Sequence, residues 1–189
     1  VNLEETDDSG RTALIWAARG GHEPVVSMLI RAGANLEHRN GTGATALMEA
    51  AGGRARQNTP RGGHVAVVRA LLAAKAKLNV QNSEQRMSAL MYAAYGGRTE
   101  VVPVLLAASA RTDLCDVDGC TALVHGAACG HLQVVATLLD ASYGLDGARD
   151  VEAAALEPEV AQQAHALLLD GYAALDDEAL GRVVARAAR

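Results

Sequence analysis

The chain has 189 residues, a net charge of −5 at neutral pH and a half-hydrophobic composition. An acidic balance argues against general nucleic-acid binding, which rests on neutralising phosphates. No apolar run reaches the roughly 18 residues that insertion into a membrane as a helix needs, and no secretory signal is visible. Phe is absent, with one Trp and four Tyr, so alanine and aliphatic residues must build the core. That suits thin helical layers better than a globular core of large rings. Length allows one or two domains.

In chain order, the first element is the stretch Thr12-Ala13-Leu14-Ile15-Trp16-Ala17-Ala18-Arg19-Gly20-Gly21-His22, which returns from Thr45, Ser88 and Thr121. Leu14, Ala17 and Ala18 share one face at helical spacing. Gly20-Gly21 ends the helix in the conformation a C-cap requires. A second helix follows with Val25, Val26, Leu29 and Ile30, Pro24 near its start and Gly33 as its stop. The pairs Val67-Val68, Val101-Val102 and Val134-Val135 recur in step, as do Leu71-Leu72, Leu105-Leu106 and Leu138-Leu139. Asp7 to Gly10 and Asn40 to Gly43 carry tight-turn chemistry. Each unit therefore reads as turn, short helix, turn, longer helix. The first and third intervals are 33 residues and the middle one is 43. A fixed period of this size means stacked units that bury a core only together.

At these positions the chain resembles the ankyrin-repeat family. Asp7, Gly10, Thr12, Leu14, Ala17, Ala18, Gly21, His22, Val25, Val26, Leu29, Gly33 and Ala34 fit its pattern in the first unit. Asp116, Gly119, Thr121, Leu123, Gly130 and His131 fit it in the fourth. The resemblance implies an all-α ankyrin-repeat solenoid with short turn or hairpin tips, in four units at about 2–34, 35–77, 78–110 and 111–147. The chain departs from the family at Ala13, Ala46, Ala89 and Ala122, where proline is usual. Ile15, Met48, Met91 and Val124 stand in place of a histidine and cannot make its hydrogen bonds. Pro103, inside a second helix, is expected to delete a backbone bond and bend it.

Ten residues are added in the second unit. Nine enter between its helices, at 52–62, and one in the turn Ser83-Glu84-Gln85-Arg86, where Arg86 displaces a glycine. The first insertion carries Arg54, Arg56 and Arg61 and no large apolar residue. Its composition predicts a mobile loop, read either as a tolerated insertion or as a contact for an acidic partner. Residues 148–189 read as a degenerate fifth unit and C-terminal capping helices, ending in one over about 176–188. Asn2-Leu3-Glu4 matches Asn35-Leu36-Glu37, the tail of a unit. Earlier residues are therefore expected to form another helix pair or cap, unless a partner covers that end.

No phosphate-binding glycine loop, nucleophile elbow or zinc-protease motif occurs, and no cofactor or catalytic residue is assigned. Three cysteines without paired spacing favour a reducing intracellular compartment, the cytoplasm or another. Cys115, Cys120 and Cys129 beside His125 and His131 lack the spacing of a zinc site, so no metal is expected. Three functional classes remain open. They are a non-catalytic module or adaptor that binds another protein, a structural subunit of a larger complex, and a regulatory domain of a larger enzyme or channel. For the first, the resemblance implies recognition through the concave row of first helices and the turn tips. The row comprises Trp16, Glu49, Tyr92 and His125, with Arg19 and Tyr95 one turn further on. The rim comprises Asp8, Ser9, Arg11, Val117 and Asp118.

Overall fold

Four helix pairs follow one another in the computed structural model, which describes residues 2–52 and 64–143. The first helices of the pairs are α1 (Ala13–Gly20), α3 (Ala46–Gly52), α5 (Ala89–Tyr95) and α7 (Ala122–Ala128). The second helices are α2 (Glu23–Arg31), α4 (Val65–Ala73), α6 (Val101–Ala107) and α8 (Leu132–Tyr143). Each first helix packs on the next first helix and on its own second helix, and the second helices form a parallel layer. The result is an all-α solenoid. Residues 53–63, with Arg54, Arg56 and Arg61 of the insertion, and residues 144–189, which include the expected fifth unit and capping helices at 148–189, lie outside the described residues. Gly52, placed in the insertion by sequence, instead ends α3 and is buried.

The local chemistry explains the repeat. Thr12, Ser88 and Thr121 accept the backbone N–H three residues ahead and start α1, α5 and α7, as N-caps do. The turn residue Asp7 accepts the N–H groups of Ser9 and Arg11 through Oδ1. Asn40 and Asp116 do the same for Thr42 and Ala44, and for Asp118 and Cys120. Gly10, Gly43 and Gly119 follow in the left-handed region, and Arg86 takes the same conformation in the third turn. Ile15, Met48, Met91 and Val124 are buried between layers.

Three ladders cross the junctions between units. Carboxylate or amide oxygens of Glu4, Glu37 and Asn79 accept the backbone N–H groups of Asn35, Lys77 and Arg111, about one repeat further on. His64 Nε2 reaches the Arg19 carbonyl at 3.2 Å, and His131 Nε2 that of Tyr95 at 3.1 Å. The His64 ring also fills the space where a Gly21 side chain would stand. The turns themselves join by backbone bonds, Gly41 to Ser9, Glu84 to Thr42 and Val117 to Gln85. The nine-residue insertion leaves this frame intact, because His64 N still bonds the Ala50 carbonyl as His22 N bonds that of Ala17.

Val102 N already bonds the Arg98 carbonyl in helical fashion, so Pro103 deletes the next bond, which would go to Thr99. α6 accordingly begins at Val101, two residues later in its unit than α2 and α4.

Candidate functional site

The position four residues after Thr12, Thr45 and Thr121 has a partner in its own turn. Trp16 Nε1 donates to Asp7 Oδ2 at 3.1 Å. Asn40 Nδ2 donates to Glu49 Oε1 at 3.0 Å, and His125 Nε2 to Asp116 Oδ2 at 2.9 Å. Each pair is nine residues apart. One carboxylate or amide thus shapes the turn with its first atom and pins the first-helix row with its second. The residue added in the third turn breaks this offset, and Asn82 Nδ2 donates instead to the carbonyl of Thr42 in the preceding turn.

The row is unevenly exposed. Trp16 is 47% exposed, with Arg11 and Arg19 guanidinium groups 5.0 and 5.9 Å from its ring centre. Cations over an indole face favour one ring orientation. Arg19 also lies 3.8 Å from Glu49, and Arg11 3.6 Å from Asp7. The backbone N–H of Arg11, foremost, holds Asp7 below the usual carboxylate range. Tyr95 is 55% exposed and meets the edge of His125 at 5.9 Å. Tyr92 and Glu49 are each only 6% exposed. The expected row of six therefore resolves into two surface patches, Trp16 with Arg19 and Tyr95 with His125. Tyr92 and Glu49 lie inside the stack between them and expose almost nothing to a ligand.

At the rim, Asp8, Val117 and Asp118 are exposed, and Ser9 and Arg11 are half-buried. The backbone bonds between turns place the rim residues on one continuous edge, and the Asp7–Trp16 and Asp116–His125 bonds set that edge against the row. Sequence reading missed the second role of Asp7, Asn40 and Asp116. The constant nine-residue offset was the available signal.

The Cys and His residues of the fourth unit disperse. His125 turns to Asp116 and His131 to a backbone carbonyl, while Cys115 and Cys129 are exposed and Cys120 is buried. Burial pushes the Cys120 and Cys129 thiols up, assisted at Cys120 by Asp116 and Asp118. That disfavours the nucleophilic thiolate. No helix among the described residues is long and apolar enough to cross a membrane.

Stacked helix pairs joined by turn-to-turn bonds define a helical repeat protein whose side chains converge on a row and an edge. The chain belongs to the ankyrin-repeat family, whose pattern, ankyrin repeats in three copies, matches residues 1–82 and 57–149. Ankyrin repeat and KH domain-containing protein mask-1 of Caenorhabditis elegans is 35% identical over 137 residues, 72% of this chain and 5% of that protein. Ankyrin repeat and KH domain-containing protein mask of Drosophila melanogaster is 38% identical over 111 residues, 58% of this chain and 2% of that protein. The chain thus spans a small fraction of the relatives it matches. Ankyrin repeats are generally protein-interaction modules and typically non-catalytic.

Proposed function

We propose that the chain is a non-catalytic module that binds a protein partner through its first-helix row and turn edge. The observation that carries this reading is the pair of exposed rings, Trp16 and Tyr95, on first helices whose small alanines are mostly buried. Exposed Trp, Tyr and Arg are the side chains enriched at binding hot spots. A second reading, that the module serves as a regulatory or structural segment of a longer protein, is favoured by the small share of each relative that it matches. Photo-crosslinking tests the binding surface. A benzophenone amino acid in place of Tyr95 should capture the partner, and the same group in place of Met28 on α2 should not. Capture from the Met28 position alone would move the interface to the second-helix layer.

A further inference from the structure

We propose that the groove takes a basic protein segment with an apolar anchor, an inference that rests on the interface reading above. The charges of the edge carry it. Asp8, Glu84 and Asp118 stand exposed at three turn tips, and none enters an ion pair among the described residues. Arg11 is held by Asp7 and the Trp16 ring, and Arg19 by Glu49, while Arg39, exposed, bonds the carbonyls of Gln81 and Gly43 through Nη1 at 3.0 and 3.4 Å. Arg39 and Arg86 are the exposed cations of the turn tips among the described residues, against three exposed acids without an ion pair. The outward balance is therefore acidic, beside the exposed apolar surfaces of Trp16, Tyr95 and Val117.

The turns form one hydrogen-bonded ribbon, so these charges keep a fixed order along the edge. Helices pack about 8–10 Å apart, which sets the first and fourth tips about 24–30 Å apart. An extended chain rising about 3.3 Å per residue covers that span in about eight residues. Lys or Arg side chains spaced along such a segment meet the acids, and a large apolar side chain seats against Trp16 or Tyr95. Anionic lipid and nucleic acid are repelled by the same edge.

The test is selection of a random 12-residue phage-displayed peptide library on the full chain, residues 1–189. The selected peptides should be enriched in Lys and Arg flanking a large apolar residue. A synthetic selected peptide should bind about tenfold more weakly to the triple variant Asp8→Asn, Glu84→Gln, Asp118→Asn, whose affinity should also depend less on salt. It should likewise lose affinity for Trp16→Ala and Tyr95→Ala, at unchanged helical circular dichroism. No enrichment, or enrichment of neutral or acidic peptides, overturns this proposal. If such neutral peptides still depend on Trp16, the groove stands and only its charge preference fails. Basic peptides that need the three acids but neither ring would instead overturn the groove reading and, with it, the apolar anchor.

Discussion

Trp16 and Tyr92 occupy the same position in the repeat yet have opposite fates. In the first unit the indole N–H bonds Asp7 and the ring is 47% exposed, on a helix with a first helix on one side only. In the third, α5 has a first helix on either side and Tyr92 is 6% exposed. The two truncations should therefore differ in stability. Tyr92→Ala empties core space and should cost about 3–5 kcal/mol, as for other large core aromatics. Trp16→Ala removes one hydrogen bond and two exposed cation–ring interactions and should cost about 1–2 kcal/mol. Denaturant unfolding of the two variants checks this, and equal losses would contradict the assigned burial. The sequence row was legible because its period is strict. The burial of Tyr92 and Glu49 was not, because it depends on a first helix packing on both sides of α3 and α5.

Among the helices, end position decides how much a repeated residue contributes. Val25 in α2 and Val101 in α6 stand at the same repeat position, yet Val25 is 46% exposed and Val101 0%. Val101→Ala should cost about 2 kcal/mol through lost burial and the cavity left behind. Val25→Ala should cost under about 0.5 kcal/mol, since alanine's better helix propensity offsets the small decrease in buried apolar area. Thermal unfolding distinguishes them, and a Val25 loss as large as that of Val101 would mean that this face is covered in solution. Helix positions were readable from the doublets of valine and leucine. Pro103 was readable as the missing donor that makes α6 start later in its unit than α2 and α4.

For the whole molecule, stability resides in junctions, and one of them is pH-sensitive. Burial, chiefly, lowers the His64 pKa below its ordinary value of 6.5. The unfolded chain, with a histidine near 6.5, then binds more protons than the folded one between the two pKa values. Stability from His64 is fully present above about pH 6.5 and is lost as pH falls through the folded value. The midpoint of urea unfolding should drop between pH 7.5 and 5.5. The drop should be smaller in His64→Gln, whose amide can still donate to the Arg19 carbonyl. An equal drop in both would remove His64 from the account. The repeat frame was visible in the sequence because the Thr or Ser caps and the Val and Leu doublets recur in step. The inter-unit partners were not, because Glu4 and Asn35 or Arg19 and His64 are separated by 31 and 45 residues.

The central claim is that the exposed rings of the first-helix row bind, while the buried ones hold the stack. The most direct test measures affinity for the captured partner, normalised to the folded fraction, in Trp16→Ala and Tyr95→Ala. Each is predicted to lose about 1–4 kcal/mol of binding, with a melting temperature near that of the unaltered chain for Tyr95→Ala and lower by only about 2–8 °C for Trp16→Ala. Unchanged affinity per folded molecule together with a large loss of melting temperature would contradict the account, making the rings structural and placing the interface elsewhere.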